Sequence, residues 1–366
     1  MAVESKNSSL AKARDAKQDE FYTQLSDIEK ELKHYKKHFK GKVVYCNCDD
    51  PRVSGFFHYF SYNFEKLGLK KLITTCYKNS ERDLFSSSNT EHAIMLEYTG
   101  DKDNNSVPDP SEIGIVKLKG DGDFRSDESI EILKKADIVV TNPPFSLFRE
   151  FVKQLVDFDK KFLIIGNLNA ATYKEVFNLF RDNKIWFGPS IRSGDREFGV
   201  PQSYPLNAAG TRVDEQGNKF IRVKGVRWFT NLDFAERHED IILYKKYTPE
   251  EYPKYDNYDA IEVSAAKDIP ADYYGNMGVP ITFLDKFNPD QFEILGVTQS
   301  WSDGRIKTYP KQTQVSAEGV ESSVTKLNDG AAIEVKKPPT GKTYYKVDGK
   351  MYVKVYARVL VKRKQS

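Results

Sequence analysis

A chain of 366 residues, 39% hydrophobic with a formal net charge of +3, has room for a catalytic domain with a sizeable core and a smaller second domain. No apolar run approaches the length of a membrane span. The N-terminal "MAVESKNSSLAKARDAKQDE" has no hydrophobic h-region, so residues 1–18 read as a disordered charged arm rather than a secretory signal. Cys46, Cys48 and Cys76 are too few for a disulfide framework, and no cluster of His or Cys completes a zinc site, so the chain reads as cytoplasmic, without a metal.

The first element in chain order is "SDIEKELKHYKKHFKG". Ser26 and Glu29 have capping-box spacing, Ile28, Leu32, Tyr35 and Phe39 share one helix face, and Gly41 can end the helix. The strand "KVVYC" follows, then a loop "NCDDP", a helix from about Val53 to Leu67 and the strand "KLITTCY". Residues 78–90 are polar and serine-rich and read as a loop. "HAIMLEYTG" and "IGIVKLKG" read as strands around the polar insert "DKDNNSVPDPSE". Next come "GDGDF", a helix over about Asp127–Lys135, the strand "DIVVT" and a helix over Leu147–Phe158. The strand "KFLIIG", the helix "ATYKEVFNLFRDN" and the strand "KIWFG" complete this half. Strands separated by helices of ten or so residues predict a doubly wound, parallel α/β sheet. Continuous apolar strands fit burial on both faces.

The pattern changes after Gly188. "GTRVDEQGNKFIRVKGVRWFTNL" reads as antiparallel hairpin material, and residues 248–275 show no clear periodicity. "FEILGV" is a short strand, and "SWSDGRIKTYPKQTQVSAEGVESSVT" reads as polar and mobile. The end, "KTYYKVDGKMYVKVYARVLVKRK", reads as a hairpin turning at Asp348-Gly349. From Ala331 to Ser366 the local charge is +8, against −5 for the rest. In the last strand Met351, Val353, Val355, Ala357, Val359 and Val361 alternate with Lys350, Tyr352, Lys354, Tyr356, Arg358 and Lys362, a set interrupted by Leu360. Period two predicts the first set inward and the second outward. A basic face interleaved with tyrosines suits phosphate contact, and a solvated face with lysines guarding an edge fits it equally.

The most informative string is "TNPPF", Thr141 to Phe145. It ends an apolar strand, where ligands sit in open α/β sheets. Two prolines make a stiff corner and direct main-chain carbonyls outward. Asn142 offers an amide oxygen, Pro143 a carbonyl in a set direction and Phe145 an aromatic face. Two acceptors, each taking one N–H, would pull a planar exocyclic amine toward tetrahedral geometry and free its lone pair. Alignment and preorganised acceptors supply the gain, not a strong base. The plain alternative is a strand-terminating turn. A [DNS]-P-P-[FYW] string arises by chance in roughly one chain of this length in a hundred, so the chemical reading leads.

These residues resemble the S-adenosylmethionine-dependent amino-methyltransferases, which carry this string after their fourth strand. "DEFYTQ" is similar to the F-Y-T element that precedes the sheet in adenine methyltransferases of the γ order, and "GDGDF" to the element after the third strand. "VVYCNCDDPRVS" and "YARVLVKRK" resemble the EcoRI-type adenine methyltransferase family in particular, including its glycine-free loop after the first strand. The resemblance implies a Rossmann-like methyltransferase domain over residues 19–247, with an antiparallel hairpin. A smaller C-terminal α+β or all-β recognition region would follow over residues 248–366. It implies transfer of the S-adenosylmethionine methyl group to the N6 amine of an adenine flipped from double-stranded DNA. Asn142, Pro143, Pro144 and Phe145 would form the catalytic corner. Phe21, Tyr22, Thr23, Asn47, Asp49, Asp50, Asp123, Phe124 and Asn142 would hold the cofactor, with Asp123 on the adenine amine and Phe124 on its ring. Lys350, Lys354, Arg358, Lys362 and Arg363 would meet DNA phosphates. The second aromatic on the flipped base is Phe198 or Trp228. The same corner also serves methylation of RNA amines and of protein glutamine, and a non-catalytic DNA-binding relative is the remaining alternative. A cognate restriction endonuclease is a possible companion without direct contact.

Overall fold

A computed structural model of the chain describes residues 21–48, 54–75, 93–105, 107–202, 204, 206 and 210–365. The arm over residues 1–18, Asp49 and Asp50, Cys76 and the loop over residues 78–90 lie outside this set. The chain divides into two units. One is built from Met1–Ala170 and Phe187–Phe234, the other from Ala171–Trp186 and Ala235–Ser366. Among the described residues, no helix is long and apolar enough to cross a membrane.

In the first unit the strands are β1 (Tyr22–Thr23), β2 (Val43–Cys46), β3 (Lys71–Thr75), β4 (Ile94–Tyr98), β5 (Ile113–Lys117), β6 (Ile138–Thr141) and β7 (Lys161–Asn167). After these come β8 (Trp186–Phe187, of which Phe187 falls in this unit), β9 (Asp195–Val200), β10 (Thr211–Val213), β11 (Lys219–Lys224) and β12 (Val226–Thr230). The helices are α1 (Leu25–Leu32), α2 (Gly55–Tyr62), α3 (Phe64–Leu67), α4 (Asp127–Lys135) and α5 (Phe148–Asp157). The main sheet runs β5-β4-β3-β2-β6-β7-β12-β8. Its centre is parallel, from β3 through β2 and β6 to β7, because α2, α3 and α5 supply the crossovers that parallel neighbours need. Its flanks are antiparallel, with β4 on β3, β5 on β4 and β12 on β7. The architecture is mixed α/β with several sheets. A second sheet, β1-β9-β11-β10, is wholly antiparallel.

Local signals explain several of these elements. Ser126 caps α4 by accepting from Ser129 N–H at 3.2 Å. Asp127 and Glu128 lie in its first turn and Lys134 and Lys135 in its last, the charge order that the helix dipole favours. Ser54 caps α2 by accepting from Phe56 and Phe57. The first helix departs from its sequence reading. It starts after Gln24 and stops at Leu32, and no side chain caps it. Ser26 therefore lies inside the first turn, and a short 3-10 turn, Lys36–His38, carries the rest. Ile28, Leu32, Tyr35 and Phe39 are nonetheless all fully buried.

The second unit holds α6 (Lys174–Arg181), β13 (Ile261–Glu262), β14 (Asn276–Pro280), β15 (Phe292–Val297), β16 (Gln312–Val315), β17 (Glu321–Val324), β18 (Ala332–Val335), β19 (Tyr344–Val347), β20 (Lys350–Lys354) and β21 (Arg358–Arg363). They form two sheets, β13-β14-β21-β15 and β17-β16-β19-β20-β18. The segment read as mobile contains an ordered hairpin, β16 with β17. Its turn closes through Ser316, whose hydroxyl accepts from Glu318 and Val320 N–H at 3.2 Å. Main-chain pairing and a serine turn hold this segment, and neither leaves an apolar pattern in the sequence.

The terminal hairpin turns at Asp348 (φ 48°) and Gly349 (φ 76°), as the two-residue primed turn requires. The long alternating strand does not exist. It breaks after Lys354, and its halves, β20 and β21, join different sheets. Tyr352, expected outward, is 2% exposed and packs on Tyr309 at 5.1 Å between ring centroids. Val359, Leu360 and Val361 are all buried in succession. Period two fails here because Tyr is apolar enough to claim the inner face of β20.

Candidate active site

The Asn-Pro-Pro-Phe corner closes β6 at the centre of the main sheet. Order β3-β2-β6-β7 reverses direction between β2 and β6, so the crevice beyond their carboxyl ends is the switch point where such sheets bind ligands. Tyr45 lies opposite Val139 in the register, and Asn47 and Asn142 each follow the carboxyl end of one of these two strands. Pro144 sits at φ −53°, ψ 125°, and Phe145–Leu147 makes a 3-10 turn into α5. Phe148 then beds against Phe229 at 4.8 Å. Its ring lies over Gly166, where any Cβ would collide with it. A side chain at 166 would push α5, and the corner with it, off the sheet.

β1 brings the F-Y-T element to this corner. It pairs with β9, Tyr22 opposite Gly199 and Thr23 opposite Phe198. Asn142 is 5% exposed, and its Nδ2 donates to the main-chain oxygen of Phe21 at 2.6 Å. This bond fixes the sense of the amide and leaves Oδ1 as the acceptor. Oδ1 is buried and receives no donor. A buried acceptor left so costs about 1–3 kcal/mol, a cost that a ligand N–H would remove. The Phe21 ring stands edge-on to half-buried Phe145 at 5.6 Å and lies 5.8 Å from Phe198. Trp228 is instead fully buried beside Phe56. Thr23 Oγ1 is a second buried polar atom without a partner. Thr23 lines a cleft of about 480 Å³ together with Tyr22, Ser54, Gly55 and His58.

Asp123 and Phe124 are held from two sides. Asp123 Oδ1 accepts from Arg125 N at 2.8 Å and Nε at 2.9 Å, and Oδ2 accepts from Nη2 at 2.6 Å. Those hydrogen bonds hold the Arg125 guanidinium well above its ordinary pKa. Phe124 is buried, edge-on to Phe151 of α5 at 5.0 Å, with Arg125 5.5 Å from its ring centre. Gln154, also on α5, donates to the Phe124 carbonyl at 2.9 Å. The helix that follows the Asn-Pro-Pro-Phe corner therefore braces the D-F element too. Phe21's carbonyl, Arg125 and Gln154 carry no motif in the sequence, and only the register of β1 and the packing of α5 reveal them. Asn47 is 3% exposed and accepts from Cys48 Sγ at 3.6 Å.

Residues 9–364 match the family described as "Adenine-specific methyltransferase EcoRI". The chain belongs to this family. It is a site-specific DNA methyltransferase for adenine. It is 55% identical to Type II methyltransferase M.EcoRI of Escherichia coli over 81% of this chain and 90% of that protein. It is 41% identical to Type II methyltransferase M.MgeORF184P of Mycoplasma genitalium and 40% identical to M.MpnI of Mycoplasma pneumoniae. Each match covers 78% of this chain and 84% of the relative. No solved structure gives a significant match.

For a member of the EcoRI methyltransferase family, the placement of the five C-terminal basic residues matters. They do not share one face. Arg358 is 15% exposed and pairs with the 7% exposed Glu262 at 2.7 Å, and Tyr255 donates to the same carboxylate. Burial beside that carboxylate raises the Tyr255 hydroxyl well above its ordinary pKa. Lys350 pairs with Glu334 at 2.7 Å. Arg363 donates to the Ala271 carbonyl and lies 5.1 Å from the Tyr274 ring centre. Lys354 is half-buried on β20 and Lys362 is exposed on β21. Neither has an ion-pair partner among the described residues.

Proposed function

We propose that this chain methylates the N6 amine of an adenine flipped out of duplex DNA, with Asn142 as the acceptor that aligns the amine. The observation that carries this reading is the buried Asn142 Oδ1, which has no donor while Nδ2 is committed to Phe21. One N–H of the amine would bond Oδ1 and the other the Pro143 carbonyl. Both acceptors gain strength as positive charge develops on the nitrogen. Neither keeps a proton: once the nitrogen lone pair had taken the methyl group and the sulfur the electrons of the broken S–C bond, the cationic nitrogen would lose one proton to water, so the corner works without a titrating group. Phe145 would stack on the flipped base, with Phe21 behind it. Phe198 is 2% exposed and supports Phe21 rather than reaching the base itself.

S-adenosylmethionine supplies an electrophilic methyl group when bound. The residues present fit it. Asn47 and Asn142 flank the switch point, and the unpartnered Thr23 hydroxyl lines a cleft within the size range of nucleotide-sized ligands. Thr23 and Tyr22 would hold its amino-acid end, and Asp123 and Phe124 its adenine. Asp123 would bond the adenine amine with its remaining lone pairs while Arg125 holds the carboxylate in place. Asp49 and Asp50 stay assigned to the ribose and ammonium groups by the resemblance alone. We read the main sheet as the methyltransferase form of the doubly wound fold, supported by its parallel centre and antiparallel final strands. The second unit would serve DNA recognition, with Lys354 and Lys362 as its phosphate contacts.

The deciding experiment incubates the purified chain with methyl-labelled S-adenosylmethionine and duplex DNA, and in parallel with RNA and with a glutamine-bearing protein. Label is expected in N6-methyladenine of DNA. A preparation shown to bind the cofactor that labels only RNA or protein, or nothing, overturns the reading.

A further inference from the structure

The loop between β4 and β5, "DKDNNSVPDPSE", lends Pro108 to the lining of the Thr23 cleft, and its carboxylates stand outside that lining. Asp101, Asp103 and Glu112 converge there, each offering one carboxylate oxygen within 4.8 Å of the others. Like charges held so close repel unless something between them compensates. Glu112 is 4% exposed. Its Oε1 accepts from Lys102 N–H, and its Oε2 is buried with no partner. A buried anionic oxygen without a donor is costly, and paired or metal-bound carboxylates are the usual solution.

The rest of the loop is built from oxygen donors in turns. Asp101 Oδ1 accepts from Asn104 N at 2.7 Å, Asp103 Oδ1 from Asn105 N at 3.0 Å, and Asn105 Oδ1 from Val107 N at 2.6 Å. Asp109 Oδ1 accepts from Ser111 N at 2.8 Å. Counting from Asp101, oxygen-bearing side chains fall at positions one, three, five, nine and twelve. That is the ligand spacing of a calcium loop, in which the twelfth residue is a glutamate. Two features differ from that loop. Antiparallel strands flank it instead of helices, and serine stands in the sequence where the usual loop has glycine. The left-handed turn falls at Asn104, φ 62°. Tyr98, at the end of β4, records the charge. Burial first, and then the charges of Glu112, Asp101, Glu65 and Asp109, push its hydroxyl up to about 12.

We propose that Asp101, Asp103 and Glu112 form a divalent-cation site selective for calcium, completed by other loop oxygens and water. The donors are all hard oxygens, three of them from these carboxylates, and calcium takes roughly six to eight oxygens in an adaptable geometry. Magnesium demands stricter octahedral geometry than a loop of turns provides.

The test is titration calorimetry of the full chain, stripped with chelator, against calcium chloride and magnesium chloride, with thermal melts alongside. One saturable calcium site is expected, roughly tenfold or more tighter than for magnesium, and calcium should raise the melting midpoint. Glu112→Gln and Asp103→Asn should each weaken calcium binding by roughly tenfold or more and abolish the rise. Asp103 is exposed, so its variant keeps the test decisive if Glu112→Gln fails to fold. Folded wild-type protein without saturable heat, equal affinity for the two ions, or folded variants that bind calcium as wild type would each overturn the proposal.

Discussion

The Asn142 corner and the C-terminal basic strands both carried functional expectations, and their polar groups are treated in opposite ways. At the corner a buried acceptor is left open while its neighbour atom is pinned to Phe21. In the C-terminal unit Arg358 is enclosed by Glu262, and Lys350 and Lys307 are paired with Glu334 and Asp256. A group that waits for a ligand keeps bonding capacity in reserve, and a group that holds a fold spends its capacity inside the protein. Residue type alone does not separate the two.

The contrast is most exposed to attack at Arg358. Arg358→Ala leaves Glu262 buried and should cost about 3–5 kcal/mol of stability, read by chemical denaturation. The DNA affinity of the folded fraction should stay unchanged. A stable variant that lost DNA binding would move Arg358 to the ligand class. Asn142→Ala should act the other way round. Loss of one preorganised polar partner lowers kcat about 10²–10³-fold, while the melting midpoint moves little, because losing the bond to the Phe21 carbonyl is offset by removing an acceptor that was unsatisfied. Activity within tenfold of wild type, about 1.4 kcal/mol, would break the corner's assignment.

Phe145→Ala should cost less, about 1–3 kcal/mol of stacking on the base. The expected readout is weaker fluorescence of 2-aminopurine placed at the target, with cofactor affinity unchanged. Lys362→Gln should weaken DNA binding a few-fold and lower the salt slope of log K by about 1. An unchanged slope would leave Lys362 as a solvated edge residue. The smallest effect concerns acid. Burial works to raise the Asp256 carboxyl, but hydrogen bonds from Lys307 at 2.5 Å and Tyr309 at 2.7 Å hold it below its ordinary value. A depressed folded pKa adds stability above the unfolded value, near 4, and this is lost as pH falls through the folded value. Asp256→Asn should therefore flatten the acid limb of stability below about pH 4, and leave the neutral-to-alkaline slope as it was.

Much of the first unit was legible in the sequence because its signals are local. Asp127–Lys135 is marked by a serine cap and dipole-matched charges, and "DIVVT" and "KFLIIG" are apolar runs that belong between layers. The antiparallel flanks were less legible, since strand direction depends on connections and not on composition. In the terminal segment the period-two pattern misled, because tyrosine serves on either face. The β16–β17 hairpin went unread because main-chain bonds and a serine turn carry it.

The sequence by itself determined which groups the corner offers. Two prolines, an amide and an aromatic ring stand together at a strand end, because backbone restriction and side-chain type act within a few residues. Only the tertiary structure decided which atom of Asn142 accepts. The Phe21 carbonyl that pins Nδ2 lies 121 residues away in the chain. A two-residue strand paired to β9 brings it there. The same holds for Arg358, whose role was decided by a carboxylate 96 residues distant. Bonding capacity is used up by contacts in space, and a linear pattern of residue types does not record them.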